Sequence, residues 1–322
     1  MSAAAPPPLP KLDNTFGALL IGVILAAALW GVGTAQCYWY YITYPKDRIG
    51  IKALVAIVWT IDTVHQAVIG QAIYYFLIQN YFNPLALDNH IWSLVIQALL
   101  EGLVCLGVQG FFVFRIWKLS RKNYILVAIP TAFVLAKFSV TCAYTNRGFQ
   151  IHSITEVLHR IHHLSISING TAAAADIIIA ATMTYLLYSQ RTGWSNSNGM
   201  VNRLVVFTVN TGILTSMVAL VTLIIAVSLP NSPMYAAFYF LTSKLYLNTM
   251  LASLNARNSI VTGKKSSTFE LSSNGAAHSM PRYERKVERI VTYDVDPTDA
   301  STLKPQSLSD HRPKYGGDGL AV

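Results

Sequence analysis

Five ionisable side chains stand near the middle of long apolar stretches: Asp62, Glu101, Lys137, Asp176 and Lys244. An Asp or Lys at the centre of a bilayer-crossing helix costs about 2.5 to 3.5 kcal/mol on insertion scales. Each is therefore expected to face the inside of a helix bundle, paired or in contact with water. Three acids and two lysines nearly balance, so pairing among them is arithmetically open. Polar neighbours share their faces: Asp62, His65 and Gln66 at i, i+3 and i+4, Gln97 and Glu101 at i and i+4, and Lys244 and Asn248 likewise. With Asn210 they form an expected polar seam inside the membrane. Such a seam suits a pocket for a small-molecule ligand, a proton or solute path, or a signalling network. A salt-bridge network that only holds helices together has the same pattern.

The run HRIHH at 159–163 is the second place where chemistry is conceivable. His159 and His163 are one helical turn apart and could jointly ligate a metal such as zinc. Glu156, three residues before His159, adds an oxygen ligand if the helix extends back that far. Imidazoles at this place could equally sense pH, and interfacial histidines without either role are common. No HExxH motif, nucleophile elbow, P-loop or dinucleotide fingerprint is present, so neither an enzyme nor a cofactor is expected. Cys37, Cys105 and Cys142 all fall within or at the ends of apolar segments, which favours packing over a disulfide framework.

The elements that position these residues are membrane helices. Of the 322 residues, 53% are apolar and only 12% charged, against about 25% charged in ordinary soluble domains. A helix needs about 20 mostly apolar residues to cross the hydrocarbon core. Seven stretches qualify, at about 16–38, 53–78, 92–114, 124–144, 164–188, 204–228 and 235–254. The expected fold is all-α and polytopic, a seven-helix transmembrane domain over 16–257. A short external segment, 1–15, precedes it. That segment lacks the charged region and cleavage site of a secretory signal, so the first span reads as an uncleaved anchor.

Loop charge sets the orientation. The loops after spans one, three and five carry nine Lys/Arg against one acid, Asp47. The alternate loops carry only Arg147 and Arg160. The positive-inside rule then places the N-terminus outside and the C-terminus in the cytosol. Because the net charge of +9 sits mostly beside helix ends, it points to a bilayer and not to nucleic acid. Aromatic residues such as Trp39, Tyr74 and Trp92 lie where spans end or begin, at the headgroup level. Ala18, Gly22 and Ala26 give the first span a small-residue face for close helix contact.

The segment 258–322 is rich in Ser, Thr, Asp, Lys and Pro and is expected to be a disordered cytosolic tail. Its KKSS run offers Ser266 and Ser267 as phosphorylation sites.

The second half reads AAAADIIIAATMTYLLYSQRTGW at 172–194, RLVVFTVNTGILTSMVAL at 203–220 and KLYLNTMLASLNAR at 244–257. It resembles the C-terminal half of a set of seven-helix membrane proteins from mushroom-forming fungi, catalogued as a domain of unknown function. The first half is similar to theirs too, in FGALLIG at 16–22, QCYWYY at 36–41 and DTVH at 62–65. The resemblance implies a seven-helix membrane protein and no particular substrate, cofactor or reaction. Lys244 invites comparison with the retinal-binding lysine of microbial rhodopsins, but Phe240 stands where those proteins carry an aspartate. The NPxxY segment of rhodopsin-like receptors is missing as well.

The expectation is then a receptor-like protein of the plasma membrane or an endomembrane. It would bind a small molecule near Asp62, Glu101, Asp176 and Lys244 and meet a cytosolic signalling partner through its basic loops and tail. A proton- or solute-conducting carrier or channel is the alternative, and a membrane scaffold without ligand is the third reading.

Overall fold

The computed structural model of the chain describes residues 17–80, 83, 89, 91–121, 123–151, 153–189, 195–229 and 234–262, without the side chains of Leu158, His162, 195–211 and 258–262. The expected external segment, most of the expected tail and the two candidate phosphorylation sites, Ser266 and Ser267, lie outside the described residues.

Long runs of Leu, Ile, Val and Ala leave the chain one way to satisfy its backbone in an apolar surrounding, which is to bond N–H to C=O within each segment. The described residues form eight α-helices: α1 (Ala18–Thr43), α2 (Ile49–Tyr74), α3 (Trp92–Leu119), α4 (Tyr124–Gly148), α5 (Ile154–Arg160), α6 (His162–Ser189), α7 (Ser195–Ser228) and α8 (Met234–Thr262). A π-helical turn, Tyr75–Gln79, continues α2. Side-chain caps start two of the helices. Asn123 accepts from the Ile125 N–H at 3.1 Å and Ser153 from the Glu156 N–H at 3.2 Å.

Among the described residues five helices are long and apolar enough to cross a membrane: α1, α2 with its π turn, α3, α4, and α6 from His163 onward. Their outer faces stay apolar, with Ile21, Ile24, Ile57, Leu135 and Ile177 all exposed, as contact with lipid requires. The chain is thus an all-α, multi-pass membrane protein.

Helix α7 is described with its side chains only from Gly212, and that part, Gly212–Ser228, is apolar. Helix α8 carries Thr242, Ser243, Lys244, Asn248, Thr249 and Ser253. None of its residues from Met234 to Arg257 is exposed. It packs against α1, α7, α3 and α2. A helix enclosed by other helices faces little lipid, so its low apolarity reflects position.

Helices α1, α2, α3, α4, α6, α7 and α8 are neighbours in that order, and α8 returns to α1. Helices α1 and α8 run parallel. The Asn248 amide donates to the Leu29 carbonyl at 3.0 Å and the Asn255 amide to the Gln36 carbonyl at 2.9 Å. Each step is seven residues on both helices, two turns in register. The small-residue face of α1 lies in this contact: Gly22 and Ala26 are buried, and a Cβ on Gly22 would stand 2.8 Å from the Ala237 Cα.

Candidate functional site

The expected polar seam divides into three clusters, and helix rotation decides the membership of each. Lys244, fully buried on α8, donates to the Asp62 carboxylate at 2.8 Å and to the Asp62 backbone carbonyl at 2.9 Å. Its ammonium also lies 3.1 Å from His65 Nδ1. An ammonium can only donate, so Nδ1 accepts and Nε2 carries the ring proton, facing Gln97 Oε1 at 3.4 Å. Asp62 and His65 thus share a face as the spacing requires. The Gln66 Oε1 takes no part in these bonds and is buried without a hydrogen-bond partner. Asn248 also leaves the cluster, to bond Leu29 on α1.

Glu101 organises the second cluster. Lys137 donates to its Oε1 at 3.1 Å, the Cys105 thiol donates to the same oxygen at 2.9 Å, and the Tyr239 hydroxyl donates to Oε2 at 2.7 Å. Helices α3, α4 and α8 are joined there. With one ammonium and two further donors, this carboxylate is satisfied.

Asp176 organises the third. The Tyr246 hydroxyl donates to its Oδ2 at 2.7 Å. The Gln109 amide donates to its Oδ1 at 3.0 Å and to the Tyr246 oxygen at 3.2 Å. The Thr215 hydroxyl is a further hydrogen-bond neighbour of the carboxylate. Every one of these groups is neutral. Lys137 forms no ion pair with Asp176 but acts on it by charge at a distance, its ammonium 5.2 Å from the Tyr246 ring centroid.

A small cleft of about 30 Å³ adjoins Asp176. Gln109, Tyr246, Thr215 and Thr249 line it beside the carboxylate, with Phe112 and Ile179 as apolar wall. Gly212 of α7 and Ala180 of α6 also border it. A Cβ on Gly212 would lie 2.8 Å from the Ala180 Cβ, so glycine permits the close approach of those two helices.

Residues 172–259 match a family of unknown function (DUF6534). That segment takes in most of α6, all of α7 and most of α8. It supplies Asp176, Thr215, Tyr246 and Thr249 to the cleft, while Gln109 and Phe112 come to the DUF6534 segment from α3. Neither a curated protein nor a solved structure matches the chain.

The remaining candidates fall elsewhere. The helix at HRIHH is interrupted at Ile161, leaving His159 on α5 and His163 on α6. The two imidazoles therefore do not share one continuous helix. Glu156 instead forms an ion pair with Arg160 at 2.9 Å. Among the described residues no three His, Cys, Asp or Glu groups lie close enough to hold a metal ion. The Asn210 side chain lies outside the described residues.

Several groups escaped the sequence reading. Gln109, Thr215, Tyr239 and Thr249 are neutral and carried no signal of misplaced charge. Another is a clasp at one end of the bundle, where the Arg257 guanidinium meets the Asp47 carboxylate at 2.5 and 3.4 Å. The Tyr40 hydroxyl donates to the same carboxylate at 3.0 Å, and Arg257 stacks 4.5 Å over the Tyr44 ring. The hydrogen bond from Arg257 holds the Asp47 carboxyl below the usual carboxylate range. Asp47 did carry a signal, as the single acid among nine basic residues in its set of loops.

Proposed function

We propose that the chain is a seven-span, receptor-like membrane protein without catalytic activity, N-terminus outside and tail in the cytosol. A small ligand occupies the Asp176 cleft, and α8 relays that occupation to the inner face. Helices α7 and α8 count as spans because both pack as full members of the ring, with α8 enclosed by its neighbours. The basic loops support the orientation, and the resemblance to fungal seven-helix proteins supports the span count. The protein would sit in the plasma membrane or an endomembrane.

The observation that carries the relay is the sequence of contacts along α8. Tyr239 holds Glu101, Lys244 holds Asp62, Tyr246 holds Asp176, Ser253 accepts from Arg115 and Arg257 holds Asp47. One helix thus joins every buried carboxylate cluster to the end from which the tail departs. A shift at Tyr246 has only about three turns to travel to Arg257.

The test uses the full chain in lipid nanodiscs, screened with small amines and alkali cations for a rise in melting temperature. A compound that raises it in wild type is expected to change the rate of tryptic cleavage at Lys264 and Lys265. Stabilising compounds without any effect on cleavage would overturn the relay. Proton or solute flux in liposomes, with the tail unresponsive, would favour the carrier reading instead.

A further inference from the structure

We propose that the Asp176 cleft binds a small monovalent inorganic cation of the alkali type, held by the carboxylate and by neutral oxygens around it. This rests on the cleft named above as the ligand site and gives the chemical class of its occupant.

The first support is charge. Among the described residues the five buried Asp, Glu and Lys side chains resolve into the pairs Asp62–Lys244 and Glu101–Lys137, at 2.8 and 3.1 Å, and Asp176 stands over. Among the described residues no Lys, Arg or His nitrogen forms an ion pair with it. It accepts from Tyr246 and Gln109, which suits an ionised carboxylate, an acceptor at both oxygens. Lys137 acts on it only at a distance and is itself paired with Glu101, and a buried carboxylate with no cation in contact is costly in a medium of low dielectric. One positive charge offsets it. A divalent ion would leave an equal excess of the opposite sign, and such ions are ordinarily held by several carboxylates.

The second support is an orphan oxygen. Gln109 is 1% exposed and lines the cleft. Its amide nitrogen is committed to Asp176 and Tyr246, which fixes the orientation, because a turned amide would set oxygen against carboxylate. Its Oε1 is left buried without a hydrogen-bond partner. A second oxygen comes from Thr249, whose hydroxyl spends its proton on the Tyr246 carbonyl at 2.8 Å and keeps its lone pairs. Carboxylate, amide and hydroxyl oxygens together are the donor set of a hard cation.

Size is the third. Water-sized space of about 30 Å³ admits an ion with a water or two. Organic ligands take pockets of about 300–1,000 Å³.

The experiment measures the melting temperature of the full chain in nanodiscs while sodium chloride replaces choline chloride at constant ionic strength. Wild type is expected to gain stability as sodium rises, following ligand linkage, and Asp176→Asn to give a flat response. Gln109→Leu and Thr249→Val keep the buried charge and serve if the asparagine variant fails to fold. Each is expected to raise the half-saturating sodium concentration by about tenfold, the worth of one contact to a charge. Equal responses to sodium and choline in wild type, or the same sodium response in every variant, overturn the proposal. Sodium binding with unchanged tail cleavage keeps the cation site and removes the relay, whereas tail responses to an amine alone keep the relay and remove the cation.

Discussion

Lys244 on α8 holds Asp62 on α2 twice over, through its carboxylate at 2.8 Å and its backbone carbonyl at 2.9 Å. Both side chains are fully buried, so neither charge has water as a fallback. Removing one partner therefore strands the other. Breaking a buried pair costs about 3–5 kcal/mol, whereas replacing both partners by apolar groups of similar volume is often close to neutral. Lys244→Met and Asp62→Asn are each expected to lower the melting temperature and folded yield sharply. The double variant Asp62→Leu/Lys244→Met should recover much of the loss. Single variants that melt with wild type would mean that the pair does not hold α2 to α8.

A comparison of two glycines on α1 tests the close contact between α1 and α8. A Cβ on Gly22 would meet Ala237 backbone atoms at 2.8 and 2.9 Å, whereas nothing lies within 4 Å of one on Gly31. Backbone cannot step aside as a side chain can, so Gly22→Ala must separate the two helices. Gly31→Ala should be neutral or slightly stabilising. Asn248→Leu and Asn255→Leu each remove one interhelical hydrogen bond, worth about 0.6 kcal/mol in a membrane bundle. Thermal melting in one detergent orders the set, with Gly22→Ala expected lowest.

The charged part of this arrangement was readable from sequence, and the pairing was not. Asp62, His65, Glu101, Lys137, Asp176 and Lys244 are all buried, as charge or imidazole at mid-helix demands. Which acid meets which lysine depends on the order and rotation of neighbouring helices, and spacing within one helix carries neither. So the single expected seam became two ion pairs and one carboxylate held by neutral donors. Helix α5 shows a different limit. The histidine run keeps helical spacing across Ile161, yet the backbone there, with φ −119° and ψ 13°, leaves the helical region and divides the run. Gln109 shows a third: a neutral amide inside a span looks like any other until the carboxylate beside it is known.

The clasp between Asp47 and Arg257 makes a prediction about pH. Asp47 has its folded value depressed below the ordinary 3.8, chiefly by the hydrogen bond from Arg257. A depressed carboxyl contributes stability that is fully present above its unfolded value. That contribution is lost as pH falls through the folded value. Wild type should therefore lose more of its melting temperature below about pH 4 than Asp47→Asn does, the variant having no such carboxyl to protonate. Above about pH 5 the wild type should be the more stable of the two. Parallel pH profiles for the two proteins would show that the clasp does not stabilise the fold.

Orientation is tested by where cysteines react. Cys37 and Cys105 are buried, whereas Cys142 is exposed on α4, so Cys142→Ala supplies the background. In the proposed topology the turn after α1 and the turn after α3 face the cytosol, and the end of α7 faces outward. Lys46→Cys and Arg121→Cys should then resist a membrane-impermeant maleimide in intact cells and react once the membrane is opened. Leu229→Cys, exposed just past α7, should react in both conditions. The three positions discriminate among topologies because each omitted span reverses every site that follows it. If only the five most apolar helices crossed, α7 would not carry the chain back to the outer face and Leu229→Cys would be protected with the others. The enclosure of α8 by its neighbours argues against that outcome, since a helix left outside the membrane could not present Lys244 to Asp62 across the bundle.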